Sequence, residues 1–313
     1  MGQETIRETG GVRYRLLQAR SLLNRCNSPR MPFEWTVNPY RGCAMGCRYC
    51  YAAYTHEFMG ITAAEQFHSV IYAKAGAEEE TARRLPAIVR RGQMIALGTV
   101  TDPYQPGESD LRVTRRFLES VAQLRNLRLG ITTKGAIVLR DLDLLRRIQE
   151  RSYLSVHVSL ISPRADLLRK LEPWAPPPEV RIEVMRRLHE AGIDVSLSLA
   201  PVLPALTDSG RDLDELLGRV RDTGVARMSW NLLFLRSPTK EKYLNWLAKA
   251  FPQYLEAYRH AYAERVYLGG RYRHQVRALL ERLRDKHGFE PAFAAGSAMA
   301  GRATAPTQLR LWT

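Results

Sequence analysis

The chain has 313 residues, 45% hydrophobic and 25% charged, a composition that supports a real core and excludes wholesale disorder. Its 47 basic residues, 40 of them arginine, face 32 acidic ones, so the formal charge is +15. That field attracts polyanions, nucleic acid first among them, and it also serves simply to solvate a surface. No run of about 18 apolar residues occurs, which argues against a membrane helix, and residues 1–20 hold no apolar signal core. The expected location is therefore the cytoplasm. Four cysteines are too few for a disulfide scaffold.

In chain order, residues 1–32 read as a basic leader. An apolar strand is predicted at 35–38, followed by a glycine- and cysteine-rich loop. Helix 78–91 leads to strand 94–100, and helix 114–125 to strand 127–132. Helix 141–151 leads to strand 154–160, helix 178–191 to strand 195–199, and helix 213–223 to strand 228–234. Most of these strand runs are continuously apolar, as in parallel strands covered on both faces, whereas 156–160 and 195–199 alternate with Ser or His. Asp141 is placed to cap its helix, and Gly192 and Gly224 to close theirs. Six β-α repeats require right-handed crossovers, and a full eight-fold barrel takes about 250 residues, so the expectation is a partial (β/α)6 barrel. The barrel is assigned to 33–236. A helical C-terminal extension, 237–313, ends in an Ala/Gly/Ser-rich stretch that reads as a mobile tail.

The segment NPYRGCAMGCRYCYAAYTHEF carries Cys43, Cys47 and Cys50 in a C-x3-C-x2-C spacing, just after the first strand. Active sites of parallel β/α folds collect at that end of the sheet. Three thiolates can hold three corners of a [4Fe–4S] cube and leave one iron open. Gly42 and Gly46 allow a tight wrap around such a group. A structural zinc site would need a fourth ligand, and neither Cys26 nor His56 lies at a usual spacing.

This loop resembles the signature of radical S-adenosylmethionine (SAM) enzymes, with Tyr49 as the aromatic before the last cysteine. The stretches GTVTDPYQPGE, TKGAIVLRDLDLL and APVLPALTD resemble the spore photoproduct lyase-like (DNA-repair photolyase-like) branch over roughly residues 33–236. The resemblance implies a partial (β/α)6 barrel and, as cofactors, a [4Fe–4S] cluster on Cys43, Cys47 and Cys50 together with SAM. The implied activity is reductive cleavage of SAM to a 5′-deoxyadenosyl radical. It also implies a one-electron donor such as a flavodoxin or ferredoxin, and a lyase-like reaction on nucleic acid.

Residue by residue, the resemblance puts Tyr49 at the adenine, and Thr101 and Asp102 among the SAM-contacting groups, with Glu108 behind them. It puts Lys134 at the methionyl carboxylate, Ser159 at the ribose or carboxylate, and the Val202 backbone at the adenine. Ser196 and Ser198 share this polar strand pattern, and His157 reads as a core histidine. One departure is plain. The branch is known for a cysteine hydrogen-atom donor near GTVTD, but this chain has no cysteine after Cys50, and Thr99 occupies the nearest position.

In the C-terminal extension, Tyr254, Tyr258 and Tyr262 fall on one helix face among arginines. Such a stripe either packs on the barrel or stacks bases. Two further readings stand beside the enzyme: a non-catalytic cluster- or zinc-bearing nucleic-acid-binding protein, and a radical enzyme that matures a protein partner.

Overall fold

A computed structural model describes the chain at residues 5–29, 31–59 and 66–292, apart from the side chains of 56–59. In chain order, β1 (Thr5–Thr9) and β2 (Val12–Gln18) form a hairpin, and β3 (Leu23–Arg25) pairs antiparallel with β4 (Trp35–Val37). After β5 (Tyr40–Arg41) comes the cysteine loop, then a 3-10 helix at Tyr51–Met59 and α1 (Gln66–Ser69). The chain continues through β6 (Val70–Ala75), α2 (Glu78–Arg90), β7 (Met94–Leu97), α3 (Glu108–Leu111), α4 (Val113–Val121) and β8 (Arg128–Thr133). Next are α5 (Leu142–Gln149), β9 (Tyr153–Ser159), α6 (Ala165–Leu171), α7 (Pro178–Glu190), β10 (Val195–Val202), α8 (Gly210–Arg221) and β11 (Arg227–Leu232). Three helices, α9 (Thr239–Ala250), α10 (Leu255–Ala261) and α11 (Gly270–His287), precede β12 (Glu290–Pro291).

The main sheet has the order β12-β11-β10-β9-β8-β7-β4-β3, and its six central strands are parallel and sequential. With β3 and β12 on its two edges the sheet stays open: this is the partial (β/α)6 barrel, widened by one short strand on each side. Strand alternation gives it two unlike faces. Ile95, Leu97, Leu129, Ile131, Val156, Leu197 and Leu199 are fully buried in one core with Leu145, Leu188 and Leu216 of the helices. The register puts Thr132, His157 and Ser196 in one row of the opposite, inner face and Ser159, Ser198 and Ser229 in another. The His157 Nδ1 lies 2.6 Å from Ser196 Oγ inside this face, so the histidine is a satisfied core residue.

Residues 5–25, which the sequence shows only as a basic leader, are built into the body. β1 and β2 join β6 and β5 in a second sheet of order β1-β2-β6-β5. Val12, Tyr14, Tyr40, Ile71 and Ala73 of that sheet form a small core with Ala44 of the cysteine loop and Val113 of α4.

Gly192 and Gly224 take positive φ just past α7 and α8, as C-cap glycines do. Asp141 departs from expectation: its side chain makes no cap bond. It accepts instead from Arg115 and Arg140, because two guanidiniums offer a buried carboxylate more than one backbone N–H.

The tyrosine stripe turns inward. Tyr258 donates to the Pro204 carbonyl (2.7 Å) and Tyr262 to the Leu233 carbonyl (3.2 Å), and both are buried. The helices therefore pack on the loops that leave β10 and β11. Most of the Ala/Gly/Ser-rich tail, with the final QLRLW, lies outside the described residues.

Candidate active site

The cysteine loop leaves β5 at the C-terminal ends of the parallel strands. Its conformation needs glycine at two points. Gly42 has φ +85 and a Cβ there would stand 2.9 Å from the Phe67 carbonyl oxygen. Gly46 has φ +70, and its missing side chain leaves room for the Trp174 ring, which a Cβ would approach to 2.5 Å. Gln105 anchors the loop from β7's side, accepting from the Ala44 N–H (2.8 Å).

Cys43 and Cys47 are each 8% exposed and Cys50 is partly buried. Neighbouring negative charge disfavours two of the thiolates: Asp102, Cys47 and Cys50 act on Cys43, and Glu172 and Cys50 on Cys47. Burial is the larger effect: it raises all three thiols and pushes Cys47 up to about 12, with Lys134 pulling it back. The Asp102 N–H points at the Cys43 sulfur at 3.4 Å. Among the described residues no three His, Cys, Asp or Glu side chains converge on a point that would hold a single metal ion. Three soft thiol donors spread around a loop fit a multinuclear cluster better than one tetrahedral zinc.

Beside the loop lies a buried charge network that sequence reading missed. Glu172, between α6 and α7, is fully buried and accepts from the Tyr49 hydroxyl and from Arg181. Arg181, on α7, is also fully buried and donates to the Pro176 carbonyl (2.6 Å) and the Ser159 carbonyl (3.0 Å). The Lys134 Nζ lies 3.9 Å from Glu172 and 5.9 Å above the Tyr49 ring. Burial would raise the Glu172 carboxyl, but Arg181 and Lys134 outweigh it and hold the group below its ordinary range. Burial lowers the Lys134 ammonium, and Cys47 and Glu172 more than reverse this, to about 12. Two cations thus stand beside Cys47, where thiolate charge must accumulate.

The sequence-predicted residues fall into two groups. Tyr49, Lys134 and Ser159 surround this network. The Ser159 Oγ is buried and has no hydrogen-bond partner among the described residues. Thr101 and Asp102 are engaged in support. Thr101 donates to the Gly42 carbonyl (2.6 Å). The Asp102 carboxylate accepts from the Tyr104 N–H (2.9 Å), the Thr133 hydroxyl (2.6 Å) and the Lys134 N–H (2.7 Å). It clips the end of β7 to the end of β8 and sets where Lys134 begins.

Glu108 is a fully buried hub that accepts from Tyr40, the Thr114 N–H and Arg140. Val202 is buried and its carbonyl accepts the Leu233 N–H at 3.1 Å. Ser196 is turned to His157. Thr99 pairs with Asn38 (3.1 Å). The 3-10 helix after the cysteines is tied to the extension, since Thr239 of α9 donates to the Cys50 carbonyl at 2.7 Å.

A parallel β/α half-barrel with three thiols on its first loop defines a class, and comparison with known proteins agrees. The Radical SAM superfamily model matches residues 37–217, and the chain belongs to that superfamily, whose members use a [4Fe–4S] cluster and SAM. It is 35% identical over 268 residues to an uncharacterised Mycobacterium tuberculosis protein, covering 85% of this chain and 78% of that one. An uncharacterised Methanocaldococcus jannaschii protein is 26% identical over 226 residues, covering 71% and 78%. Among solved structures, a spore photoproduct lyase variant with bound AdoMet and dinucleoside spore photoproduct superposes with TM-score 0.68 at 14% identity, over 94% of this chain and 87% of that one. Streptococcus suis SuiB bound to precursor peptide SuiA gives TM-score 0.51 at 13% identity, over 80% and 45%. No helix among the described residues is long and apolar enough to cross a membrane.

Proposed function

We propose that Cys43, Cys47 and Cys50 hold a [4Fe–4S] cluster with one open iron, and that the chain is a lyase-like radical SAM enzyme acting on nucleic acid. The observation that carries the cluster is a soft donor set of three thiols, and no more, on a buried glycine-shaped loop flanked by Lys134 and Arg181. When bound, the cluster and SAM supply one-electron cleavage to a 5′-deoxyadenosyl radical.

The chain's own residues do the rest. Lys134 offers an ammonium to the methionyl carboxylate, and Ser159 offers its unpartnered hydroxyl to ribose or carboxylate. Tyr49, locked by Glu172, holds the segment between Cys47 and Cys50 in place and presents its backbone to adenine, opposite the Val202 backbone. Thr101 and Asp102 keep the loop and Lys134 in register. The inner face of serines, threonine and histidine gives a polar lumen for substrate above the apolar core. A flavodoxin- or ferredoxin-like donor supplies the electron.

Nucleic acid is favoured by the +15 charge and by the likeness of fold to spore photoproduct lyase. With the tyrosine stripe packed against the barrel, that recognition falls to arginines. The second reading, a maturase, has the fold likeness to a peptide-bound enzyme behind it.

The test is anaerobic reconstitution followed by reduction with SAM. 5′-Deoxyadenosine should form, rise on adding DNA or RNA, and vanish in Cys47→Ala. About four iron and four sulfide per chain are expected. About one zinc and no sulfide would mean the non-catalytic alternative, and stimulation by an acidic protein in place of nucleic acid would mean the maturase.

A further inference from the structure

The small sheet carries a feature that the proposed reaction does not use. Its inward face is the apolar core around Tyr14 and Ile71. Its outward face is set by the register. Arg15 of β2 stands beside Tyr72 of β6, and Tyr72 beside Arg41 of β5, so the tyrosine lies in one row between two guanidiniums. Two residues further along β6, on the same face, is Lys74, paired with Leu17. Three cations thus surround one aromatic ring that is itself only 4% exposed.

Among the described residues no carboxylate compensates their charges. Arg15, Arg41 and Lys74 are all partly buried, and the Arg15 Nε is buried without a hydrogen-bond partner. Among the described residues none of the three has an ion pair with a carboxylate. Burial lowers the Lys74 ammonium to about 8, and Arg41, a like charge, adds to the effect. On the strands of this face the described carboxylate is Glu8, which stands across from Arg13, a row away. Cations taken partly out of water and left facing one another cost stability, and proteins ordinarily pair them. Arg41 is the Arg of NPYRGC, and Gly42 and Cys43 follow it directly, so the patch lies on the outer flank of the cysteine loop.

We propose that Arg15, Arg41 and Lys74 form a phosphate-binding cradle on the small sheet, distinct from the SAM site. Three cations grouped on one face around a single residue suit a compact tetrahedral anion that can accept from all of them. Tyr72 is too buried to stack on a base, so the cradle recognises charge and not sequence. The phosphate belongs either to a free phosphate monoester or to the backbone of a nucleic-acid strand led past the barrel mouth.

The experiment uses the full-length chain and inorganic phosphate, with ionic strength held constant by chloride. Phosphate should raise the melting temperature of the wild type saturably. In Lys74→Met the rise should be lost, and without phosphate this variant should melt no lower than wild type, because it removes a partly buried cation that no described carboxylate pairs. Arg41→Gln should weaken half-saturation by at least about tenfold. If phosphate also displaces a labelled single-stranded oligonucleotide, the source is a phosphodiester backbone. If phosphate stabilises without displacing it, the source is a free phosphate or monoester. No phosphate-dependent rise, an equal rise in all three proteins, or a Lys74→Met that is destabilised without phosphate would each overturn the cradle. None of these readouts uses the cluster or SAM, so failure here leaves the proposed reaction standing, and the reverse holds too.

Discussion

Replacing Arg181 with methionine removes the cation that faces Glu172 inside the barrel. Arg181 is fully buried and supplies donors to Glu172 and to two carbonyls, those of Pro176 and Ser159. Without it, Glu172 keeps only the Tyr49 hydroxyl and a lysine 3.9 Å away. Breaking a buried pair from one side costs about 3–5 kcal/mol. At about 2–4 °C per kcal/mol for a chain of this class, the melting temperature should fall by roughly 6–20 °C.

Glu172→Gln keeps an acceptor for Tyr49 but strands Arg181, and should cost a similar amount. The double variant removes both charges, so it should be more stable than the summed losses allow, by about 0.5–3 kcal/mol. Thermal melts of the cluster-free chain at pH 7 read all four corners of this cycle. The sign of the acid limb follows from the depressed Glu172 carboxyl. Its stabilisation is complete above the unfolded value of about 4.3 and is lost as pH falls through the lower folded value, so the gap between wild type and Glu172→Gln should close in acid. An Arg181→Met protein that melts within about 2 °C of wild type would refute the reasoning; so would a double variant that loses the full sum.

Three further outcomes are expected. Burial first, and then Arg227, lowers the His157 imidazole to about 4. The unfolded chain therefore binds the extra proton between about pH 4 and 6.5, and native stability should climb by about 3 kcal/mol across that window. Urea unfolding of His157→Gln should show a flatter climb. Gly98 has φ +90, and a Cβ there would stand 2.5 Å from the Thr132 carbonyl oxygen, so Gly98→Ala should lose about 1–3 kcal/mol in the same urea assay. Tyr49→Phe deletes the hydroxyl that Glu172 accepts and should cost about 1.5–3 kcal/mol. Because the loop segment between Cys47 and Cys50 loses its anchor, the iron signal after reconstitution should also broaden, and an unchanged spectrum would separate Tyr49 from cluster positioning.

Much of the fold was legible locally. The apolar runs, most continuous and two alternating with Ser or His, named the six parallel strands, and Gly192 and Gly224 marked the ends of α7 and α8. Arg181 was legible in principle: it shares the i, i+3, i+4, i+7 stripe of Val184, Met185 and Leu188, and a charge on an apolar stripe signals a buried partner. Its partner left no local mark. Glu172 is an isolated acid before a proline, 123 residues from the tyrosine that it anchors. The pairing of the basic leader left no local mark for a related reason. β2 takes its register from β6, far along the chain, and its alternating arginines read as a solvated segment until that pairing is seen.

Periodicity and spacing are properties of neighbours in the chain, so residue order alone settled the half-barrel, the three thiols and the family they belong to. What a polar side chain does depends on which distant group meets it once the strands are in register. Only the tertiary structure could therefore turn Thr101 and Asp102 into supports, leave the Ser159 hydroxyl unpartnered, and gather Lys134, Glu172 and Arg181 around Cys47.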